Sequence, residues 1–138
     1  MNDNIAMNRC ISIAANSGGW NHPNPRVGSI IVHNNRIIGE GFHYKYGSDH
    51  AEVMAFKSIK KIDEGLVKNS TLYVNLEPCS HFGKTPPCAD LIIKKGIKKV
   101  IIGSRDPNPK VSGSGIRRLK LAGVHVTVGV NEMECQEL

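Results

Sequence analysis

His50-Ala51-Glu52 and the separated pair Cys79 and Cys88 are the residues of this 138-residue chain whose types and spacing best suit chemistry. Imidazole nitrogen and thiolate sulfur are zinc donors; structural zinc sites close with four protein ligands, whereas catalytic ones keep a position open for water. One histidine and two cysteines make three ligands, so the set points to a reactive centre and away from a staple. Cys88 follows Thr85-Pro86-Pro87 in the first turn of an expected helix, where unpaired N–H groups favour thiolate. In mid-helix, side chains two residues apart point about 200° from each other. At a helix mouth His50 and Glu52 can still flank one point, with Glu52 beside the water as a proton carrier and not as a ligand. Taken alone, the same segment also reads as a plain helix start, with Asp49 as N-cap and Glu52 as the reciprocal acid of a capping box.

The elements that must position these groups follow from hydrophobic periodicity. Residues 3–17 place Ala6, Cys10, Ile13 and Ala14 at helical spacing and stop at Gly18-Gly19, which turns Cys10 toward the core. Residues 27–32 and 36–42 are β-rich runs joined by His33-Asn34-Asn35, an antiparallel hairpin pattern. Thereafter helices at 50–61, 86–95 and 114–122 alternate with strands at 71–76, 99–103 and 125–130, as in parallel strands linked by crossover helices. The expected fold is α/β, a five-stranded mixed sheet covered by helices on both faces.

Composition narrows the function. An apolar fraction of 40% and a charged fraction of 22% describe a chain that folds, and its length suits one domain spanning residues 1–138. No apolar run approaches the roughly 20 residues of a membrane helix, and Met1-Asn2-Asp3-Asn4 opens no secretory signal. A cytoplasmic location without membrane partners is expected. Cysteines there are thiols, ligands or core residues; Cys135, among Glu132, Glu134 and Glu137, is expected to be a free surface thiol. The net charge of +6 and pI near 9.3 fit an anionic ligand. Nucleic acid is an unlikely partner, because the cations are dispersed and only seven aromatic residues are available for stacking. One sequence is echoed, Pro23-Asn24-Pro25-Arg26-Val27 against Pro107-Asn108-Pro109-Lys110-Val111, and reads as two stiff loops that present Asn24 and Asn108. Gly83-Lys84-Thr85 imitates the end of a phosphate loop, but Pro78 stands where that motif needs its first glycine.

Histidine, one residue and glutamate, then proline-cysteine and a second cysteine, is similar to the signature of zinc deaminases of nucleobases. The usual spacing is Cys-x-x-Cys; here eight residues intervene, which brings in His81 as a rival ligand. That long loop from Glu77 to Cys88, with Asn24-Pro25-Arg26-Val27-Gly28, His50-Ala51-Glu52 and Asp106-Pro107-Asn108-Pro109, closely resembles the deaminase domain of the bifunctional riboflavin-biosynthesis deaminase/reductases. The likeness runs in order through nearly the whole chain. It implies a cytidine deaminase-like three-layer α/β/α sandwich and hydrolytic removal of ammonia from 2,5-diamino-6-(5-phosphoribosylamino)pyrimidin-4(3H)-one. It further implies one zinc per chain on His50, Cys79 and Cys88, Glu52 as proton shuttle, and substrate contacts from Asn24, His43, His81, Lys84, Asp106 and Asn108. The family continues into a reductase domain, absent from residues 1–138, so either the sequence is a piece of a longer protein or, as expected here, a separate NADPH-dependent reductase is the partner for the next step. Two alternatives stand beside this: a zinc deaminase of cytidine, guanine or transfer-RNA adenosine, against which the cysteine spacing argues, and a zinc-stapled nucleic-acid-binding module. A homo-oligomer is compatible with each.

Overall fold

In the computed structural model, which describes residues 1–17, 26–44, 48–81 and 85–138, five strands form one sheet in the order β2-β1-β3-β4-β5. β1 (Gly28–His33) and β2 (Arg36–Phe42) are the antiparallel hairpin expected from sequence. Its tip residues Asn34 and Asn35 take φ of 46° and 64°, the left-handed pair that matches a two-residue turn to right-twisted strands and that asparagine tolerates. β1 pairs antiparallel with β3 (Thr71–Leu76), whereas β3, β4 (Lys99–Ser104) and β5 (His125–Val128) run parallel. β3 is therefore central, and its C-terminal end feeds the first cysteine of the long loop.

Strand residues alternate between two cores, as a period of two requires. Ile31, Leu72, Val74, Val100 and Ile102 pack with Ala55 and Phe56 of α2 (Ala51–Ser58), Ala89 and Ile92 of α3 (Cys88–Lys95), and Ile116 and Leu119 of α4 (Ser114–Leu121). Ile30, Val32, Tyr73 and Ile101 pack with Ala6, Met7, Cys10 and Ile13 of α1 (Asp3–Ala14). Helices thus cover both faces in three layers. No helix among the described residues is long and apolar enough to cross a membrane.

Two local expectations are corrected. The helix expected over 50–61 stops at Ser58 and a 3₁₀ segment, Lys61–Asn69, follows. The Ser58 hydroxyl donates to the Ala55 carbonyl and accepts the Glu40 amide, tying the helix end to β2; such side-chain bonding competes with helix continuation. Cys135 is buried and not a surface thiol: α5 (Glu132–Gln136) sets it against Gly103, in the same core as Cys10 and Ile101. A side chain at residue 103 would occupy the place of the sulfur. Burial pushes the Cys135 thiol up to about 11, which keeps it inert.

Candidate metal centre and its cavity

One donor atom from each of His50, Cys79 and Cys88 lies within 4.8 Å of the other two. His50 holds the N-cap position of α2 in extended conformation (φ −67°, ψ 162°), and its side chain makes no capping bond. Asp49, the N-cap expected from sequence, instead pairs with Lys57 at 2.6 Å. The capping-box reading is thereby overturned, and the imidazole at the helix mouth is left to other work. Cys79 lies just beyond β3, and Cys88 opens α3. The Cys88 amide donates to Cys79 Sγ at 3.2 Å and the Ala89 amide to the Cys79 carbonyl at 3.0 Å, so the mouth of α3 is seated on Cys79.

The donor geometry fits zinc. A tetrahedral ion with Zn–S near 2.3 Å and Zn–N near 2.0 Å separates sulfur from nitrogen by about 3.5 Å; His50 Nδ1 lies 3.3 Å from Cys88 Sγ and 3.7 Å from Cys79 Sγ. The electrostatics agree. Without a cation the two thiols share a proton. The hydrogen bond from Cys88 brings Cys79 down to about 4, helped by bonds from His50 and the Cys88 amide, while the same bond, with burial, pushes Cys88 up. Two thiolates at this separation need a divalent charge, and it is a metal that would replace the shared proton.

A cavity of about 270 Å³ opens at the cluster, lined in part by His50, Cys79 and Glu52; Cys88 is buried and not among the lining residues. Glu52, in the first turn of α2, is 3% exposed, and burial pushes its carboxyl up to about 7. A group that gains and loses a proton near neutrality suits proton transfer.

Among the expected substrate contacts, His43, His81 and Asp106 line this cavity. His43 is buried; its Nδ1 lies 3.1 Å from the Asp49 carbonyl and its ring meets that of His50 edge-on at 5.5 Å. His81, the rival ligand, stands on the cavity wall outside the three-donor cluster. Asp106 Oδ1 accepts the Asn108 amide at 2.9 Å. Asn108 is exposed and its side chain accepts the Lys110 amide at 3.0 Å, so it braces its own loop and is not among the cavity-lining residues. Asn24 and Lys84 lie outside the described residues.

Sequence reasoning missed two buried polar residues on β3 and just after it. Asn75 accepts the Gly28 amide at 2.8 Å and donates to the Arg26 carbonyl at 3.0 Å. Glu77 accepts four main-chain N–H groups from the segment after β4 and the start of α4. The only sequence signal is their polarity at the end of an apolar strand, because every partner is remote in the chain.

Residues 1–104 match the family model described as the cytidine and deoxycytidylate deaminase zinc-binding region. The chain is 48% identical over 137 residues to the diaminohydroxyphosphoribosylamino-pyrimidine deaminase of Buchnera aphidicola subsp. Schizaphis graminum, covering 99% of this chain and 90% of that protein. It is 48% identical over 136 residues to the riboflavin biosynthesis protein RibD of Aquifex aeolicus, covering 99% of this chain and 37% of that one. The chain spans only 34% to 37% of the length of three such curated relatives. The crystal structure of a diaminohydroxyphosphoribosylaminopyrimidine deaminase/5-amino-6-(5-phosphoribosylamino)uracil reductase from Thermotoga maritima is 50% identical and superimposes with a TM-score of 0.90, over 97% of this chain and 38% of that one. The chain therefore belongs to the cytidine and deoxycytidylate deaminase family and carries its zinc-binding region.

Proposed function

We propose that this chain is a zinc-dependent aminohydrolase that releases ammonia from 2,5-diamino-6-(5-phosphoribosylamino)pyrimidin-4(3H)-one, an early step of riboflavin biosynthesis. The observation that carries the reaction type is that the buried Glu52 lines the same cavity as His50 and Cys79 of the three-donor cluster. The substrate class is supported by the likeness to the Buchnera deaminase, which this chain covers over 90% of its length.

His50, Cys79 and Cys88 would hold the zinc ion, and the chemistry it would supply is the Lewis acidity that makes water nucleophilic near neutral pH. Glu52 takes a proton from the attacking water and passes it to the ring nitrogen, then takes the proton of the newly added hydroxyl and passes it to the amine on the carbon under attack. The carbon–nitrogen bond then breaks with ammonia as leaving group, avoiding the far more basic amide anion. His43, anchored against the Asp49 carbonyl, and Asp106 orient the ring from the cavity walls. His81, Asn24 and Asn108 add further substrate contacts, and Lys84 meets the phosphate as a single charge.

The deaminated product passes to an NADPH-dependent reductase, an activity that residues 1–138 do not supply, and both steps take place in the cytoplasm. The test is ammonia release by the zinc-loaded chain from the pyrimidine, with cytidine and guanine as controls and NADPH absorbance followed in the same cuvette, with and without added reductase. Release from the pyrimidine alone, with NADPH consumed only after reductase is added, is expected. Release from cytidine or guanine but not from the pyrimidine overturns the substrate, and substrate-dependent NADPH oxidation by residues 1–138 alone overturns the restriction of this segment to deamination.

A further inference from the structure

We propose that Glu77 is a positioning residue for the reaction: from the end of the strand that carries Cys79, it holds the Asp106 loop in place as a wall of the cavity and thereby sets affinity for substrate. Glu77 is 6% exposed. One carboxylate oxygen accepts the amides of Asp106 and Gly113, both at 3.0 Å, and the other accepts those of Gly115 at 2.9 Å and Ile116 at 3.3 Å. These bonds bracket the whole segment from β4 to α4. The helix itself lacks a cap, since its N-cap residue is Gly113 at φ 86° and no side chain there bonds the first turn. A carboxylate from another element therefore does what a neighbouring serine or aspartate usually does, meeting unpaired N–H groups at a helix N-terminus. Glu77 also lines the cavity, but both its oxygens are taken up by main-chain donors, so its carboxylate acts through the loop.

Geometry ties this loop to the metal cluster. Glu77 precedes Pro78-Cys79, and Gly115 packs so closely on the Pro78 carbonyl that a side chain there would collide with it. Strand end, cysteine and α4 therefore form one packed unit, and Asp106 is placed relative to Cys79 through Glu77. In glutamine one carboxylate oxygen becomes an NH₂ group that faces two N–H donors, so one pair of bonds is lost while size is kept. The inference rests on the proposed contact between Asp106 and the substrate.

The test uses the zinc-loaded full chain with Glu77→Gln, Asp106→Ala and the double variant. Glu77→Gln is expected to retain its zinc, keep kcat within about threefold and raise KM on the order of tenfold, the scale of loss when a positioning group shifts. In the Asp106→Ala background it adds no further rise in KM. Leu119→Ala, which trims the buried face of α4, lowers Tm but leaves KM unchanged. Amide exchange should quicken at Asp106 and Gly113 or at Gly115 and Ile116. Should glutamine prevent folding, Glu77→Asp, which sets the same charge back by one methylene, is read in the same way. An unchanged KM, a full KM rise in the Asp106→Ala background, or a matching rise from Leu119→Ala overturns the proposal. Failure of the wild-type chain to deaminate the pyrimidine refutes the substrate reading instead; unchanged amide exchange in the Glu77 variant then independently overturns the anchoring role.

Discussion

Replacing Glu52 with glutamine separates proton transfer from architecture. The side chain is 3% exposed, and burial raises its carboxyl from 4.5 to about 7. At about 1.36 kcal/mol for each pH unit, that rise from 4.5 to about 7 makes ionised Glu52 cost the metal-free fold about 3 kcal/mol. The folded value lies above the unfolded one, so folding takes up a proton between them. Stability of the metal-free chain therefore falls as pH rises from about 4.5 to about 7 and levels off above. Glutamine carries no charge and escapes this cost. Metal-free Glu52→Gln should melt higher than metal-free wild type at pH 8, by up to the order of 10 °C, and the gap should close toward pH 4.5. In the zinc-loaded chain the cation offsets the carboxylate, so the gap narrows. Turnover, by contrast, should fall by about 100-fold or more with zinc still bound. Thermal melts across pH, elemental analysis and ammonia release give the three readings. A zinc-loaded variant with near-normal turnover refutes the proton shuttle, and a metal-free variant that melts lower than wild type at pH 8 refutes the burial argument.

The remaining expectations are more local. Cys79→Ser and Cys88→Ser should lose zinc by elemental analysis, whereas Cys10→Ser and Cys135→Ser keep it; the last two place a hydroxyl in the α1-side core and should cost about 1–3 kcal/mol in denaturant melts. Gly115→Ala pushes a methyl group against the Pro78 carbonyl, so α4 must shift; a loss of about 1–3 kcal/mol is expected, with weaker zinc retention in a chelator competition. Arg9, hydrogen-bonded to Glu40 at 2.8 Å and 3.0 Å, holds that carboxyl below its ordinary range. Stability from this pair is present above the ordinary carboxylate value and is lost as pH falls through the lowered one. Arg9→Ala should move Glu40 back up in an NMR titration, at a cost in stability of less than about 1 kcal/mol because the pair is half exposed.

How much of this was legible depends on how far apart in the chain the partners lie. The hairpin, β3 and the parallel strands were legible because each carries its own period and turn residues, as at Asn34 and Asn35. The candidate donor cluster was legible for a similar reason: His50-Ala51-Glu52 and the cysteine loop are short segments whose residue types carry their chemistry. α5 was not, since a five-residue helix offers too few positions for a period, and the glutamates around Cys135 pointed to solvent while the sulfur turned inward. Glu77 and Asn75 escaped because Glu77 meets amides 29 to 39 residues onward and Asn75 reaches back 47 and 49 residues to Gly28 and Arg26. The sequence by itself determined which groups are available for catalysis and where the five strands and the longer helices lie, because those properties reside in side-chain chemistry and local periodicity. Tertiary structure alone decided that the mouths of α2 and α3 meet at the end of β3, that His50 and not Asp49 occupies the cap position, and that a remote carboxylate secures the Asp106 loop. Each of these depends on strand order and packing, which bring together groups that no local pattern relates.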